Sequence, residues 1–442
     1  MGETPVLAAF LQSENPSIHC NMAATKLEPA VHLCAQVEGS FAYKTVKDRL
    51  PVILTKVIDL LSRKASDIES NYGPISREET KKIIGRLSKL RNELQTNKNY
   101  VPVQDSFEDV AIWNEHLPQV STPRWFDGIW LLAECYLYRR IFESFQMTTK
   151  LKEYDYFGEQ KENALLTSML AVNALTEVLA GGSSKVELSQ LIEVSLWGNK
   201  CDVSFSGGEE NSQKVDLFSQ LDTLRVNILQ NDVTKVVEYI QSKKSLKIDF
   251  LLDNAGFELV TDLILMDYMT RQNLVLRIHI FVKVMPWYVS DALVHDLHYV
   301  ISRLEQSDFA PTAFLGKRCR GYLEAKQWSI EKRIYWTLPF PYADMSHRDP
   351  KLYQELKQSD LIIFKGDLNY RKLVGDRAWK PTTNFRASLM GFEPAPLITL
   401  RTIKAETVTG LVEGAAETAK QKSKDWMVSG EFAVVQFVDT RC

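Results

Sequence analysis

The chain is poor in every pattern that would place it by a short motif. Its six cysteines, Cys20, Cys34, Cys135, Cys201, Cys319 and Cys442, are scattered over 442 residues. No two have zinc-finger spacing, and thiols spread this widely read as reduced groups of a cytosolic or nuclear protein. Basic excess is missing: Lys+Arg number 53 against 56 Asp+Glu, a formal net charge of -3. That balance gives no electrostatic grip on nucleic acid or an anionic membrane. No uninterrupted apolar run is long enough to span a bilayer. The first stretch carries Glu3, Glu14, Glu28 and Glu38, without the basic lead-in of an export signal or the Arg bias of a transit peptide. No strand pattern leads into Gly-x-Gly-x-x-Gly, into a P-loop Gly-Lys-Ser/Thr or into a Gly-x-Ser-x-Gly elbow, so dinucleotide, P-loop and serine-hydrolase chemistry lack their usual carriers. The seven histidines make no zinc pattern, and His295 and His298, one helical turn apart, read as packing residues.

What is present is an ordinary globular composition, 45% hydrophobic and 25% charged. The length suits more than one domain, or one with large insertions. Residues 1–39 show no sustained period and read as a flexible or loosely docked tail. From Ser40 to about residue 200 the apolar residues recur at helical spacing: Val46 to Leu61 with Pro51 inside the run, 78–95, 130–145 and 162–179. Gly181-Gly182-Ser183-Ser184 ends the last of these. After a polar loop at 204–213, residues 201–442 change character. Apolar strand patterns at 246–252, 275–284, 361–364, 397–400 and 432–437 alternate with helical ones at 257–269, 289–304 and 352–356. This reads as an α/β layered domain with a mostly parallel sheet.

Polar residues sit where these strands end. The run Phe250-Leu-Leu-Asp-Asn-Ala-Gly-Phe-Glu258 places an acid and an amide just past an apolar strand and before a helix, the position at which open α/β sheets bind ligands. Asp253 and the Asn254 carbonyl offer oxygen ligands to a hard cation. Trp287-Tyr-Val-Ser-Asp291 follows the next strand, and Ser290-Asp291 is expected to open the helix after it. If the two strands are neighbours, Asp253, Asn254 and Asp291 converge as a Mg²⁺ or Mn²⁺ site. In Lys365-Gly-Asp-Leu-Asn-Tyr-Arg371, Gly366 admits close backbone approach. Asp367 and Asn369 accept from sugar hydroxyls, and Arg371 holds a phosphate bidentately. Lys404, in Arg401-Thr-Ile-Lys404, adds a compact charge for a phosphoryl oxygen. Asn199 and Asp202, near Trp197, are further cleft candidates. Each cluster also suits a plain structural role: caps for Asp253, Ser290 and Asp291, an Asx turn at Asp367 with Arg371 and Lys372 solvated, an edge-strand lysine at 404, an inter-domain turn at 197–202.

Together these runs resemble the signature of the metal-dependent damage-control phosphatases. Arg401-Thr-x-Lys404 is similar to the mark of that family's subfamily III. The likeness extends through Ser40-Phe-Ala-Tyr43, Leu90-Arg-Asn-Glu-Leu-Gln95 and Ser195-Leu-Trp-Gly-Asn-Lys-Cys-Asp202, and is nearest to the family's animal branch. The resemblance implies a helical N-terminal part and a three-layer α/β/α C-terminal domain. It implies a phosphatase dependent on Mn²⁺, Co²⁺ or Ni²⁺ (Mg²⁺ is the other candidate), acting on fructose 1-phosphate and fructose 6-phosphate. It carries the metal to Asp253, Asn254 and Asp291, catalysis to Asp253 and Asp291, and substrate contacts to Asp253, Asn254, Asp367, Leu368, Asn369, Tyr370, Arg371 and Lys404. Animal members are also credited with S-adenosylmethionine-dependent methylation of glutamate carboxylates, the DNA sliding clamp among their substrates, with Glu258 and Asp291 toward that cofactor. A phosphatase, a carboxyl methyltransferase and a non-catalytic binding module are thus the three readings, in that order.

Overall fold

The computed structural model describes residues 30–181, 186–205 and 217–441. Its centre is a seven-stranded sheet in the order β1-β7-β6-β5-β2-β3-β4. The strands are β1 (Ile228–Asn231), β2 (Leu246–Leu251), β3 (Val275–Val282), β4 (Trp328–Lys332), β5 (Leu361–Lys365), β6 (Leu397–Thr402) and β7 (Ala433–Val438). All neighbours pair in parallel except β6 and β7. The expected mostly parallel sheet is therefore present, with two strands that sequence reading did not locate. These are β1 and β4, the two edges. Strands such as Ile-Leu-Gln-Asn and Trp-Ser-Ile-Glu-Lys keep polar residues because an edge is partly in water, so they lack the apolar run that marks a central strand.

Alternate residues of each central strand face two separate cores. Leu361 and Ile363 of β5 enter one, Ile362 and Phe364 the other. The first core holds helix Phe257–Arg271, which is buried along nearly its whole length, and helix Val294–Glu305. The second joins the opposite face to the N-terminal helices, among them Leu50–Arg63, Ile75–Gln95 and Trp130–Gln146. Helical part and sheet thus share apolar contacts. The boundary expected at residue 200 falls inside a helix, Leu188–Phe205, that also belongs to the first core.

Local departures have local causes. Pro51, which lacks an N–H, sits in the first turn of Leu50–Arg63, directly after a π-helical turn at Thr45–Arg49. The expected helix at 162–179 is two, Gly158–Thr167 and Met169–Ala180, bent by 52°. Ser168 at the break turns its buried hydroxyl back to the Leu165 carbonyl at 2.8 Å. Residues 30–39, read as tail, are docked: Leu33 N–H donates to the Asp376 carbonyl, Trp130 N–H to the Leu33 carbonyl, and Ala35 is buried.

Strand order places the functional crevice. From β2 the chain moves outward through β3 to β4, then crosses back to lay β5 and β6 on the other side of β2. The turns leaving β2 and β5 therefore diverge, opening a hollow at their carboxyl ends.

Candidate active site

Asp253 and Asp291 meet for two reasons. Their strands, β2 and β3, are adjacent. In addition the loop after β3 doubles back beside the β2 extension, where Asn254 and Asp291 form an antiparallel bridge. Ala292 N–H donates to the Asp253 carbonyl at 2.8 Å, and Ala255 N–H to the Ser290 carbonyl at 2.8 Å. This return needs a tight turn, and Tyr288 and Val289 adopt φ of 43° and 74°. A β-branched residue there is strained, as functional loops often are. The expectation that Ser290-Asp291 opens a helix is corrected: the helix starts at Val294, and Asp296 accepts from Leu293 N–H near its start. Asp253 is no cap either, since Gly256 occupies the N-cap of Phe257–Arg271.

Gly366 opens helix Gly366–Leu373 at the end of β5, with φ of 82°. A Cβ there would lie 1.9 Å from Asp253 Oδ2. Only glycine lets the β5 turn approach the β2 carboxylate this closely. Asp367, next in the chain, is pinned through Oδ1 by Arg401 Nε at 2.8 Å and by Lys404 N–H at 3.0 Å. Arg401 is thus a buried positioning group, donating also to the Thr407 and Ala405 carbonyls and lying over the Tyr370 ring.

Asp253, Asn254, Asp291, Asp367, Leu368, Arg371 and Lys404 line one cavity of about 210 Å³. Three expected members do not. Asn369 sits behind the wall: its Oδ1 accepts from Tyr342 and its Nδ2 donates to the Lys365 carbonyl, so its expected sugar contact is corrected. Tyr370 is buried against Thr409. Glu258 is buried beneath the cavity, accepting from Asn254 Nδ2 at 2.8 Å and lying 3.3 Å from Lys365 Nζ. Arg371 lines the cavity but is not solvated and not a free fork. Its Nε and one terminal nitrogen chelate Asp376, the other terminal nitrogen holds Glu134 at 2.6 Å, and the plane stacks on Trp130. Lys372 is likewise buried, donating to the Tyr335, Trp336 and Leu338 carbonyls. Asn199 and Asp202 lie outside the residues whose side chains are described.

Sequence reading missed the contribution of the helical part. Phe41, Arg49, Trp130 and Glu134 complete the wall with Tyr288 and Ser290. Long-range closure of this kind leaves no local signal, although the Ser40-Phe-Ala-Tyr43 run was already part of the family likeness.

The floor is acidic. Asp253 is buried beside Asp291 and Glu258, and burial, then these two neighbours, raises its carboxyl well above the usual range. Burial raises Asp291 too, opposed by Lys283 at 3.0 Å. Asn254 orders the floor, its Nδ2 donating to Asp253 Oδ2 at 2.8 Å and its Oδ1 accepting from Ser290. The two buried carboxylates have the oxygen donor chemistry of a hard divalent cation, the Asn254 amide would add its oxygen by turning over, and such a cation would remove the repulsion that the bare acids suffer. A second acidic group, Asp155, His295 and Asp296, also has ligand atoms within 4.8 Å of one another. There Lys161 bridges Asp155 and Asp296, so an ammonium already occupies the centre.

Comparison with known proteins identifies the family. Residues 45–419 match the family model of the damage-control phosphatase ARMT1-like domain. Damage-control phosphatase ARMT1 of Xenopus tropicalis is 41% identical over 435 residues, spanning 93% of this chain and 99% of the relative. The human protein of that name is 40% identical over 92% of this chain and 98% of its own length. A DUF89-family protein from Pyrococcus horikoshii overlays at a TM-score of 0.41 with 15% identity, covering 85% of this chain and 96% of that one. The chain belongs to the ARMT1-like family of damage-control phosphatases.

Proposed function

We propose that this phosphatase hydrolyses sugar phosphate monoesters, fructose 1-phosphate and fructose 6-phosphate among them, using a divalent cation such as Mn²⁺, Co²⁺, Ni²⁺ or Mg²⁺. One observation carries the reading: the exits of β2, β3, β5 and β6 deliver acids, an amide and a lysine to a single small cavity. Asp253, Asn254 and Asp291 would hold the cation, which supplies Lewis acidity toward a phosphoryl oxygen and an acidified water. Lys404 sets a positive charge against the negative phosphoryl oxygens, and Arg371, fixed by Asp376 and Glu134, holds a guanidinium in the adjoining wall. Asp367, its Oδ1 held by Arg401 and Lys404 N–H, is the acceptor for a sugar hydroxyl. Water attacks phosphorus in line, the bond to the sugar oxygen breaks, and that oxygen leaves with a proton as the alcohol.

Phosphate release from fructose 1-phosphate, measured with each divalent ion in turn, tests the reading. Asp253→Ala should lower metal-dependent turnover by about three orders of magnitude or more. Retained turnover in that variant would refute the assignment.

A further inference from the structure

Arg49 is one of three cations that line this cavity, with Arg371 and Lys404. Arg371 is clamped by two carboxylates, while Lys283 and Lys365, behind the wall, are buried against Asp291 and Asp262. Arg49 is exposed, and among the described residues its side chain has no hydrogen bond or ion pair. It is nevertheless a wall residue of the acid-floored cavity.

Its placement is built. Arg49 ends a π-helical turn, Thr45–Arg49, inside an otherwise α-helical run from Phe41 to Arg63. Such turns are rare and re-aim the residues that follow them. At the start of the run, Phe41 N–H donates to Glu406 Oε2 at 3.0 Å, which ties this helix to the loop carrying Lys404. Arg49 also lines a larger hollow of about 690 Å³ between helices Leu50–Arg63 and Gly158–Thr167. Tyr288 and Ser290 are shared by both spaces. The two are thus adjacent, with Arg49 at their junction.

We propose that Arg49 is a substrate-binding residue, gripping the phosphoryl group from the side opposite the acid floor, with the leaving group directed into the larger hollow. The inference rests on the phosphatase reading and deepens it. An exposed, unpaired guanidinium costs little desolvation beyond its own and matches two phosphoryl oxygens at once. A cation on the acid floor would draw one side of a phosphate dianion, which leaves the oxygens facing the mouth for exposed Arg49.

The test is steady-state kinetics of the full chain with saturating Mn²⁺ on p-nitrophenyl phosphate and fructose 1-phosphate, together with inhibition by inorganic phosphate. Arg49→Ala should lower kcat/KM for both esters by about ten- to hundredfold and raise the phosphate inhibition constant in parallel. Arg49→Lys should recover part of both losses. The Mn²⁺-induced rise in melting temperature should match the parent's, which separates lost anion binding from a damaged site. Asn163→Trp, which narrows only the larger hollow, should raise KM for fructose 1-phosphate and leave phosphate inhibition unchanged. Phosphate inhibition and kcat/KM within twofold of the parent in Arg49→Ala would overturn the inference while leaving the phosphatase reading intact. A parent chain that turns over neither ester would overturn that reading and this inference with it.

Discussion

At the scale of single residues, the site is a problem of packing buried acids closely. Gly366 shows the tolerance. A methyl group at that position meets the Asp253 carboxylate and must also adopt φ of 82°. Gly366→Ala should cost at least about 1–2 kcal/mol from the left-handed backbone alone, and should lower turnover by two orders of magnitude or more because Asp253 is displaced. A melting curve alongside phosphate release checks both. Arg371 shows the opposite arrangement, a cation held by two buried carboxylates. Arg371→Lys keeps the charge but breaks the bidentate pair with Asp376. Loss of a buried charge-assisted hydrogen bond of this kind costs about 1.5–3 kcal/mol, readable as a lowered denaturation midpoint.

At the scale of elements, what matters is which strand end reaches which helix. The last residue of β5, Lys365, is buried and holds Asp262 at 2.7 Å while donating to Ser195 Oγ at 2.9 Å. It links the sheet to helices Phe257–Arg271 and Leu188–Phe205. Lys365→Met should destabilise by about 3–5 kcal/mol, because Asp262 and Glu258 are left buried without their counter-charge. His295 gives a pH signature at the start of helix Val294–Glu305. Its hydrogen bond with Asp155 raises the imidazole above its usual 6.5. A raised folded value means stability that is complete below pH 6.5 and lost as pH climbs through the folded value. The parent should therefore exceed His295→Gln in stability at pH 6, by under about 1 kcal/mol because 58% of the side chain is exposed, and the gap should close toward pH 8. Parallel melts across that range decide it. Helix Gly366–Leu373 explains another outcome. Asp367 and Arg371, four apart, share its cavity face, whereas Asn369 points about 200° around the axis from Asp367. The family likeness carries the whole run from Asp367 to Arg371 as substrate contacts, and helix phase alone separates Asn369 from the two that share the cavity face.

For the whole molecule, the sheet presents one face to each of two cores, and the N-terminal helices complete one of them. Residues 201–442 expressed alone should lack a cooperative melt, since one sheet face and the cavity wall at Trp130 and Glu134 would be missing. The intact chain should melt higher with Mn²⁺, by RT ln(1 + [L]/Kd), about 2.7 kcal/mol at a hundredfold excess over Kd, and chelation should reverse the gain.

The linear chain determined by itself the alternation of strands and helices, the acids and amide that close β2, β3 and β5, and the family likeness those runs carry. These are local facts, set by apolar runs and by the residues that end them. The tertiary structure alone decided which candidates share a cavity. It joined Arg49, Trp130 and Glu134 to residues more than a hundred positions away, turned Asn369 and Glu258 inward, and set Arg371 against Asp376 and Glu134. A side chain's direction, and the charge that meets it, depends on helix phase and on contacts between distant segments. Neither is written in local spacing.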